Sequence, residues 1–453
     1  MKARALALDL GSTRLKLAVL FNNGDLQLLS RRAFPQLKGT GVIREADPAS
    51  FRDRVTALFS KAAGFEKKLP LGISSQRSSF LLWERDTGKP LTRILSWQDR
   101  RAQDWCAVHS HLVPKLWRIT GLPLTAHYAG PKLAYLLAKD RWLAALARHG
   151  RCCFGTLETY LAWLWSDGNV FQTEPGMAAR TQLMDVTRGY WSEEILDTFK
   201  IPVSILPNIA PFSQAAVKSP GGWRIKAVAP DQSAAALPWL GRDPGAVILN
   251  AGTGSFALRL GHGLAPKGFI TCPIDGGELD HSRVFWEGPV NAGAALWKRW
   301  KSHHSETIGE GQQRFAAPER HGWGAPYWRG DLGQINAGAR TEQGADGCLL
   351  QGYAFRLRQV IEGLFSGNAP EKVLLGGGLA HDAVFLNFLK THLPFRLFRM
   401  EEPELSLWGA GWLADDCRLE PSHKATPVQS EFGSDTNSQY KQWCAWMNCH
   451  LGS

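Results

Sequence analysis

Two stretches of this chain, about 240 residues apart, carry the same supersecondary unit. Near the start, ARALALDL (3–10) alternates and ends on an acid. Gly11-Ser12-Thr13 turns the chain, LKLAVLF (15–21) reads as a second strand, and Gly24-Asp25 leads into a third. Later, AVILN (246–250) is strand-like, AGTGS (251–255) is a small-residue turn, FALRL (256–260) is a strand, and Gly261 and Gly263 mark the next turn. A repeat of this kind points to two related lobes, one opening near residue 1 and one near residue 245. Two ordinary hairpins give the same pattern, so the repeat alone leaves both readings open.

The 453 residues, 44% of them hydrophobic, are enough for two or three domains with sizeable cores. With 21% charged residues, disorder is excluded for most of the chain. No stretch approaches the roughly 18 uncharged apolar residues of a membrane-spanning helix. The short apolar run at the start contains Asp9 and is no secretory signal. Eight cysteines without a CxxC or a metal-type Cys/His spacing read as reduced thiols, and a cytoplasmic location is expected. Lys and Arg (52) exceed Asp and Glu (41), a formal +11 that favours anionic partners such as nucleotides. The dense basic patch at 297–301 reads as a solvated helix face rather than a nucleic-acid footprint.

Between and after the repeated units the pattern is mixed α/β. LPLGISSQ (69–76) is strand-like. Helices are expected over 130–150, with Pro131 in the first turn and Gly150 past the end, and over 155–168. Residues 223–240 read as a strand, a turn at Pro230-Asp231 and a small-residue helix, and 242–245 is the interlobe boundary. Further helices are expected at 291–300, 346–365 and 405–414, and 373–393 reads as strand, triple-glycine turn and helix. The last roughly 35 residues turn polar and read as a linker or loosely held tail.

Three glycine-rich turns can present backbone N–H groups to an anion: Gly11-Ser12-Thr13, Gly252-Thr253-Gly254-Ser255 and Gly376-Gly377-Gly378. Asp9 at a strand end can hold Mg²⁺ through its waters, and Lys16 adds a positive charge. There is no P-loop. Asp231 reads either as the N-cap of the following helix or as a general base that accepts a hydroxyl proton. The run from Gln76-Arg77 to Ser96-Trp97-Gln98-Asp99-Arg100-Arg101 supplies fixed donors, and Trp97 or Tyr128 supplies a flat wall for a small polyhydroxy compound. A structural Arg–Asp network would use the same residues.

ALDLGST, SSQRSSFLLWERDTGKPLTRILSWQDRRA (74–102), PKLAYLL (131–137), PDQSAAAL (230–237), NAGTGSF (250–256), EGPVNAGAALW (287–297), GWGAPYW (322–328) and VLLGGGLAHD (373–382) follow one another in order. Together they resemble the FGGY carbohydrate kinases, in particular the glycerol kinase-like branch. The resemblance implies two actin-like, ribonuclease-H-like α/β lobes with ATP and acceptor in the cleft, and Mg²⁺-dependent phosphorylation of a sugar or polyol hydroxyl.

By the same resemblance, Asp231 matches the catalytic base and Gln232 a substrate contact; Gln76, Arg77, Trp97 and Tyr128 belong to the acceptor pocket. Gly11, Ser12, Thr13 and Lys16 match the first phosphate loop, Thr253 and Gly254 the second, and Asp9 the Mg²⁺-associated acid. Gly293, Gly377, Gly378 and Asp382 match nucleotide-lining positions. The expected division is 1–242 for the acceptor, first phosphate loop and base, 243–418 for the second phosphate loop and adenosine site, and 419–453 for the tail. A small-molecule acceptor is expected, with no nucleic acid and no membrane as partner, and family members often self-associate.

Three departures stand out. Where this branch usually has Glu after the arginine, the chain has Ser78; Pro230 replaces the usual glycine before the base; and the second lobe is short. Glycerol, tetritols, pentuloses and related polyols all stay open as acceptors. An ATP-binding regulator or pseudokinase would retain the clamp without turnover, but Asp9 and Asp231 are both present. An actin-like ATPase would not need Arg77, Trp97 and the WQDRR run.

Overall fold

The computed structural model describes residues 1–252, 255–274, 283–290, 297, 301, 316–318, 327–330, 333–336, 345–419, 425–429 and 431–451. Strands β1 (Ala3–Leu10), β2 (Arg14–Phe21) and β3 (Leu26–Ala33) form an antiparallel meander. Beside β1, β4 (Leu71–Ser75) and β5 (Ile225–Pro230) add in parallel, giving the order β5-β4-β1-β2-β3. The central strands β1 and β4 are apolar runs buried on both faces, as covered parallel strands must be. At the edge, β3 is largely open and carries Arg31 and Arg32, charges that discourage edge-to-edge pairing.

The second sheet contains β6 (Ala246–Ala251), β7 (Ser255–His262), β8 (Ile270–Pro273), β9 (Arg283–Val290), β10 (Lys372–Gly376), β11 (Leu397–Met400) and β12 (Ala425–Val428). Its order is β8-β9-β7-β6-β10-β11-β12. The inner five, β11-β10-β6-β7-β9, match the first sheet strand for strand and direction for direction. The repeated hairpins are therefore the openings of two copies of one topology, and β8 and β12 are antiparallel additions at the edges of the second.

Helix boundaries follow local chemistry. The expected helix over 130–150 is two helices, α1 (Ala129–Lys139) and Arg141–Arg148. Asp140 leaves the helical conformation, and its carboxylate accepts from Trp142 N and Leu143 N, capping the second. The expected helix over 155–168 begins as a strand, Cys152–Thr156, paired with Phe80–Glu84, and becomes helical only in α2 (Leu157–Trp165). Later come α3 (Asp231–Leu240), α4 (Ala345–Leu364), α5 (Leu405–Ala414) and α6 (Ser434–Leu451). Of the expected helix at 291–300, only Trp297 falls among the described residues.

The loosely held tail is corrected for 434–451. Tyr440, Trp443 and Met447 of α6 lie at i, i+3 and i+7 and bury against Phe355 of α4. The Tyr440 hydroxyl donates to Glu362 Oε2 at 2.7 Å. A narrow apolar stripe is enough to dock a helix whose overall composition is polar.

Helix α5 lies between β11 and β12 of the second sheet in sequence but packs against β1 and β4 of the first and against α3. A Cβ on Gly72 would lie 1.8 Å from the Ala410 carbonyl oxygen, and one on Gly409 would lie 1.8 Å from that of Ala234. Only glycine permits these two backbone approaches. Trp408 Nε1 donates to the Gly24 carbonyl at 2.7 Å, fastening α5 to the β2–β3 turn. The carboxyl ends of β1, β4 and β5 lie side by side because the three strands run parallel, and such ends are where ligands bind in open α/β sheets.

Candidate active site

Three strand ends supply the first group of side chains. Asp9 sits near the end of β1, Gln76 and Arg77 follow β4, and Asp231 opens α3 directly after β5. Asp9 is buried; its Oδ1 accepts from Ser74 Oγ at 3.0 Å and from Ser406 Oγ at 3.4 Å. Burial pushes its carboxyl up to about 6, Lys16 pulls the other way, and the charge of Asp231 adds to the rise. Lys16 is the cross-strand neighbour of Asp9, and its ammonium pairs with Glu404.

Asp231 is not the N-cap of α3; Pro230 holds that position without a side-chain cap, and Asp231 is the first helical residue. Its Oδ1 accepts the Gln232 N–H at 2.8 Å and lies 3.6 Å from Arg77 Nε, with 32% of the side chain open. Burial raises its carboxyl above the usual range, against the pull of Arg77.

Arg77 crosses to the second sheet. Its Nη1 is 2.6 Å from Oε2 of Glu287, a carboxylate on β9 that is 1% exposed. Arg180 reaches the other oxygen of Glu287, Nη2 to Oε1, at 3.4 Å. Burial opposes ionisation of Glu287, but Arg180 and Arg77 outweigh it and hold the carboxyl below its usual value. Burial likewise opposes the charge on Arg77, and Glu287 then Asp231 hold its pKa above the ordinary range. Arg180 Nε and Nη1 have no hydrogen-bond partner among the described residues.

The guanidinium of Arg180 lies 5.6 Å from the Tyr128 ring centroid; Tyr128 meets His127 edge-on at 5.1 Å, and His127 lies 5.5 Å from Trp97. Arg77 in turn stands 5.7 Å from the ring of Phe256 on β7. Arg77, Trp97, Tyr128 and Asp231 are thus linked by one run of contacts. Gln76 is buried beneath it; its Oε1 accepts from Ser79 Oγ at 2.9 Å, and its Nε2 has no partner among the described residues.

The remaining expected residues lie towards the second sheet. Gln232 Oε1 accepts from Nδ2 of Asn250, on β6, at 2.9 Å. Gly377 has φ +84°, and a Cβ there would lie 2.3 Å from Asn250 Oδ1 and 2.5 Å from the Ala251 carbonyl oxygen. Beside it, a Cβ on Gly378 would meet nothing within 4 Å. Asp382 is engaged elsewhere. It caps the helix Ala383–His392 through Val384 N and Phe385 N, both at 3.1 Å, and pairs with Lys301 at 2.8 Å. In the first turn, a Cβ on Gly11 would lie 2.8 Å from the Arg14 carbonyl oxygen and 3.2 Å from Asp9 Oδ2; Ser12 is half-buried and Thr13 exposed. Thr253, Gly254 and Gly293 lie outside the described residues.

These surroundings fit a nucleotide with Mg²⁺. Among the described residues no group of three or more His, Cys, Asp or Glu could hold a metal ion. Mg²⁺ is usually held by one or two carboxylates, with waters and phosphates completing its shell. Asp9, buried and close enough to Asp231 for their charges to interact, suits that mode. At Gly378, where a Cβ would meet nothing within 4 Å, the turn leaves room for a ligand close to the backbone.

Sequence reasoning missed Glu287, Arg180, Phe256 and Asn250 as members of this group. The available signal for Glu287 was a lone acid in an otherwise apolar strand, VFWEGPV. For Arg180 it was a single charge after the small-residue run GMAA.

Residues 4–219 match the model of the FGGY family of carbohydrate kinases, N-terminal domain. The chain is 31% identical over 440 residues to a glycerol kinase of Thermus brockianus, covering 90% of this chain and 88% of that one. It is 30% identical over 449 residues to a glycerol kinase of Bordetella parapertussis, covering 90% and 87%. The solved structure of Plasmodium falciparum glycerol kinase with ADP superimposes with a TM-score of 0.83 at 20% identity, over 99% of this chain and 98% of that one, a likeness of fold. The duplicated sheets, the acids at the strand ends of the first and these relatives agree: the chain belongs to the FGGY family of carbohydrate kinases, phosphotransferases with an alcohol group as acceptor.

Proposed function

We propose that this protein transfers the γ-phosphate of ATP to a hydroxyl of a small sugar or polyol, with Asp231 as general base. The observation that carries this reading is the Asp231 carboxylate. It stands at the first residue of α3, one-third open, beside Arg77, with its pKa raised by burial. A raised pKa makes the carboxylate a better proton acceptor, while Arg77 keeps it ionised and aimed. The acceptor hydroxyl donates to Asp231, and its proton passes to that carboxylate as oxygen bonds to phosphorus. Arg77, Trp97 and Tyr128 hold the acceptor, with Gln76 and Gln232 supplying amide groups beside it.

The nucleotide lies between the turns at 11–13 and 252–255, against Gly377 and Gly378. Bound Mg²⁺ neutralises charge on the phosphates. Asp9 is the carboxylate placed to hold it through waters, and Ser74 and Ser406 orient that carboxylate. Residues 1–242 supply the acceptor pocket, first phosphate turn and base; 243–418 supply the second phosphate turn and adenosine site.

Position 78 bears on the acceptor. Ser78 has φ +64°, is buried, and donates from Oγ to the Arg180 carbonyl at 3.0 Å, so it offers no carboxylate. The buried acid of the pocket, Glu287, is taken by two arginines. Turnover of ATP against glycerol, erythritol and D-xylulose, read as ADP release, tests the reading. ADP release that depends on one of these acceptors is expected. ATP binding without turnover of any of them would overturn it; no observation on this chain favours such a pseudokinase.

A further inference from the structure

Lys132, on α1, is wholly buried yet forms no ion pair among the described residues. Its ammonium donates instead to three backbone carbonyls: Ser96 at 2.8 Å, His127 at 3.2 Å and Ser78 at 3.4 Å. An ammonium has three N–H donors, so the set is complete. The three carbonyls belong to segments far apart in the chain, and each adjoins a residue of the proposed acceptor pocket. Ser78 follows Arg77, Ser96 precedes Trp97, and His127 precedes Tyr128. The Ser96 and His127 carbonyls lie in the same rigid peptide planes as the Trp97 and Tyr128 N–H groups, so fixing them fixes where those side chains depart.

We infer that Lys132 is a positioning residue for the acceptor pocket, its ammonium pinning together the three backbone segments that carry Arg77, Trp97 and Tyr128. The inference rests on the acceptor pocket proposed above. Its setting makes that charge costly. Burial pulls its pKa down to about 7, with Asp99 working to raise it and Arg101 to lower it; Cys106 and the Phe80 ring, 5.8 Å away, are its other neighbours. An apolar side chain of that length would avoid the cost of a buried charge but leave three carbonyls without their donor. Lys132 touches neither the strand ends that carry Asp9 and Asp231 nor the Gly377 turn, so its effect falls on acceptor recognition.

The test is steady-state kinetics of Lys132→Met and Lys132→Gln, with the best acceptor of the panel and separately with ATP. Displacing binding groups by a fraction of an ångström to an ångström is expected to raise acceptor KM roughly 10- to 100-fold in Lys132→Met. Lys132→Gln, which keeps two N–H donors, falls between it and wild type. KM for ATP stays within about twofold, since no contact of Lys132 reaches the nucleotide side. A merely structural role would lower the active fraction and the Tm while leaving acceptor KM unchanged; that outcome, or equal loss for both substrates, overturns the inference. If Lys132→Met does not fold, Lys132→Gln carries the test alone. Arg77→Ala is run alongside. If it raises acceptor KM and the Lys132 variants do not, only the role of Lys132 fails. If it leaves acceptor KM unchanged, the pocket itself is wrongly placed.

Discussion

The proposed acceptor side and the proposed nucleotide side of this site are built from different materials. On the proposed acceptor side, charged side chains dominate: Arg77, Arg180, Glu287 and Asp231 form one linked group, closed by Tyr128, His127 and Trp97. Towards the nucleotide, the assigned residues are mostly glycines and hydroxyls at turns. The charged side chains expected there are tied down, Lys16 to Glu404 and Asp382 to a helix cap. Recognition by side chains ties affinity to particular residues. Recognition by backbone depends on whether the chain can keep its path, so substitutions there act through geometry rather than charge.

That contrast can be broken experimentally, most severely at Asp231. Asp231→Asn keeps the shape and removes the base, so kcat is expected to fall about 10²–10⁴-fold while KM for ATP is unchanged. Near-wild-type kcat in the folded variant would remove Asp231 from the chemistry. Next is Glu287→Gln, which leaves two buried guanidinium groups without their shared carboxylate. Breaking a buried pair costs about 3–5 kcal/mol, read as a lower urea midpoint, and acceptor KM should rise with it. An unchanged midpoint would show the arginines are neutralised by something else.

On the other side, Gly377→Ala sharpens the comparison. Alanine at φ +84°, pressed against Asn250 Oδ1 and the Ala251 carbonyl, costs about 1–3 kcal/mol of backbone strain. ATP KM should rise and acceptor KM should stay; the reverse result would dissolve the distinction between the two sides. The smallest effect concerns pH. Lys132 is pulled to about 7 from an ordinary value of 10.5, so between those values the unfolded chain binds more protons than the folded one. Stability of wild type relative to Lys132→Met should therefore rise from pH 7 to pH 9, by about 2 kcal/mol in urea unfolding. A flat difference would mean that Lys132 is neutral or fully charged across that range.

Much of the fold is legible in the chain because glycine-hydroxyl turns between apolar strands occur twice, and two hairpins starting two sheets is what the structure contains. The extra edges β8 and β12 were not legible, since a four-residue strand is defined by the neighbour it pairs with. Asp140 broke an apparently continuous helix because a carboxylate that caps one helix ends the one before it. At the candidate site, the place of Asp231 between a strand and a helix could be read from the chain, but not which of its two readings applied. Glu287 could not, because a lone acid in an apolar strand declares its purpose only when the arginines of the other lobe are seen to face it. The chain likewise conceals Lys132, whose partners are carbonyls rather than side chains.

The glycine contacts of α5 also bear on how the protein is made. The face of the first sheet that includes Ala7 and Ala18 is covered by Leu407 and Ala410, residues translated some 400 positions later. On the ribosome, the first lobe emerges with that apolar face bare and must wait for the far end of the chain before its sheet is sealed. A chain truncated at the lobe boundary would carry the same uncovered surface permanently, so the first lobe is expected to need α5 supplied, in cis or as a peptide, to remain in solution.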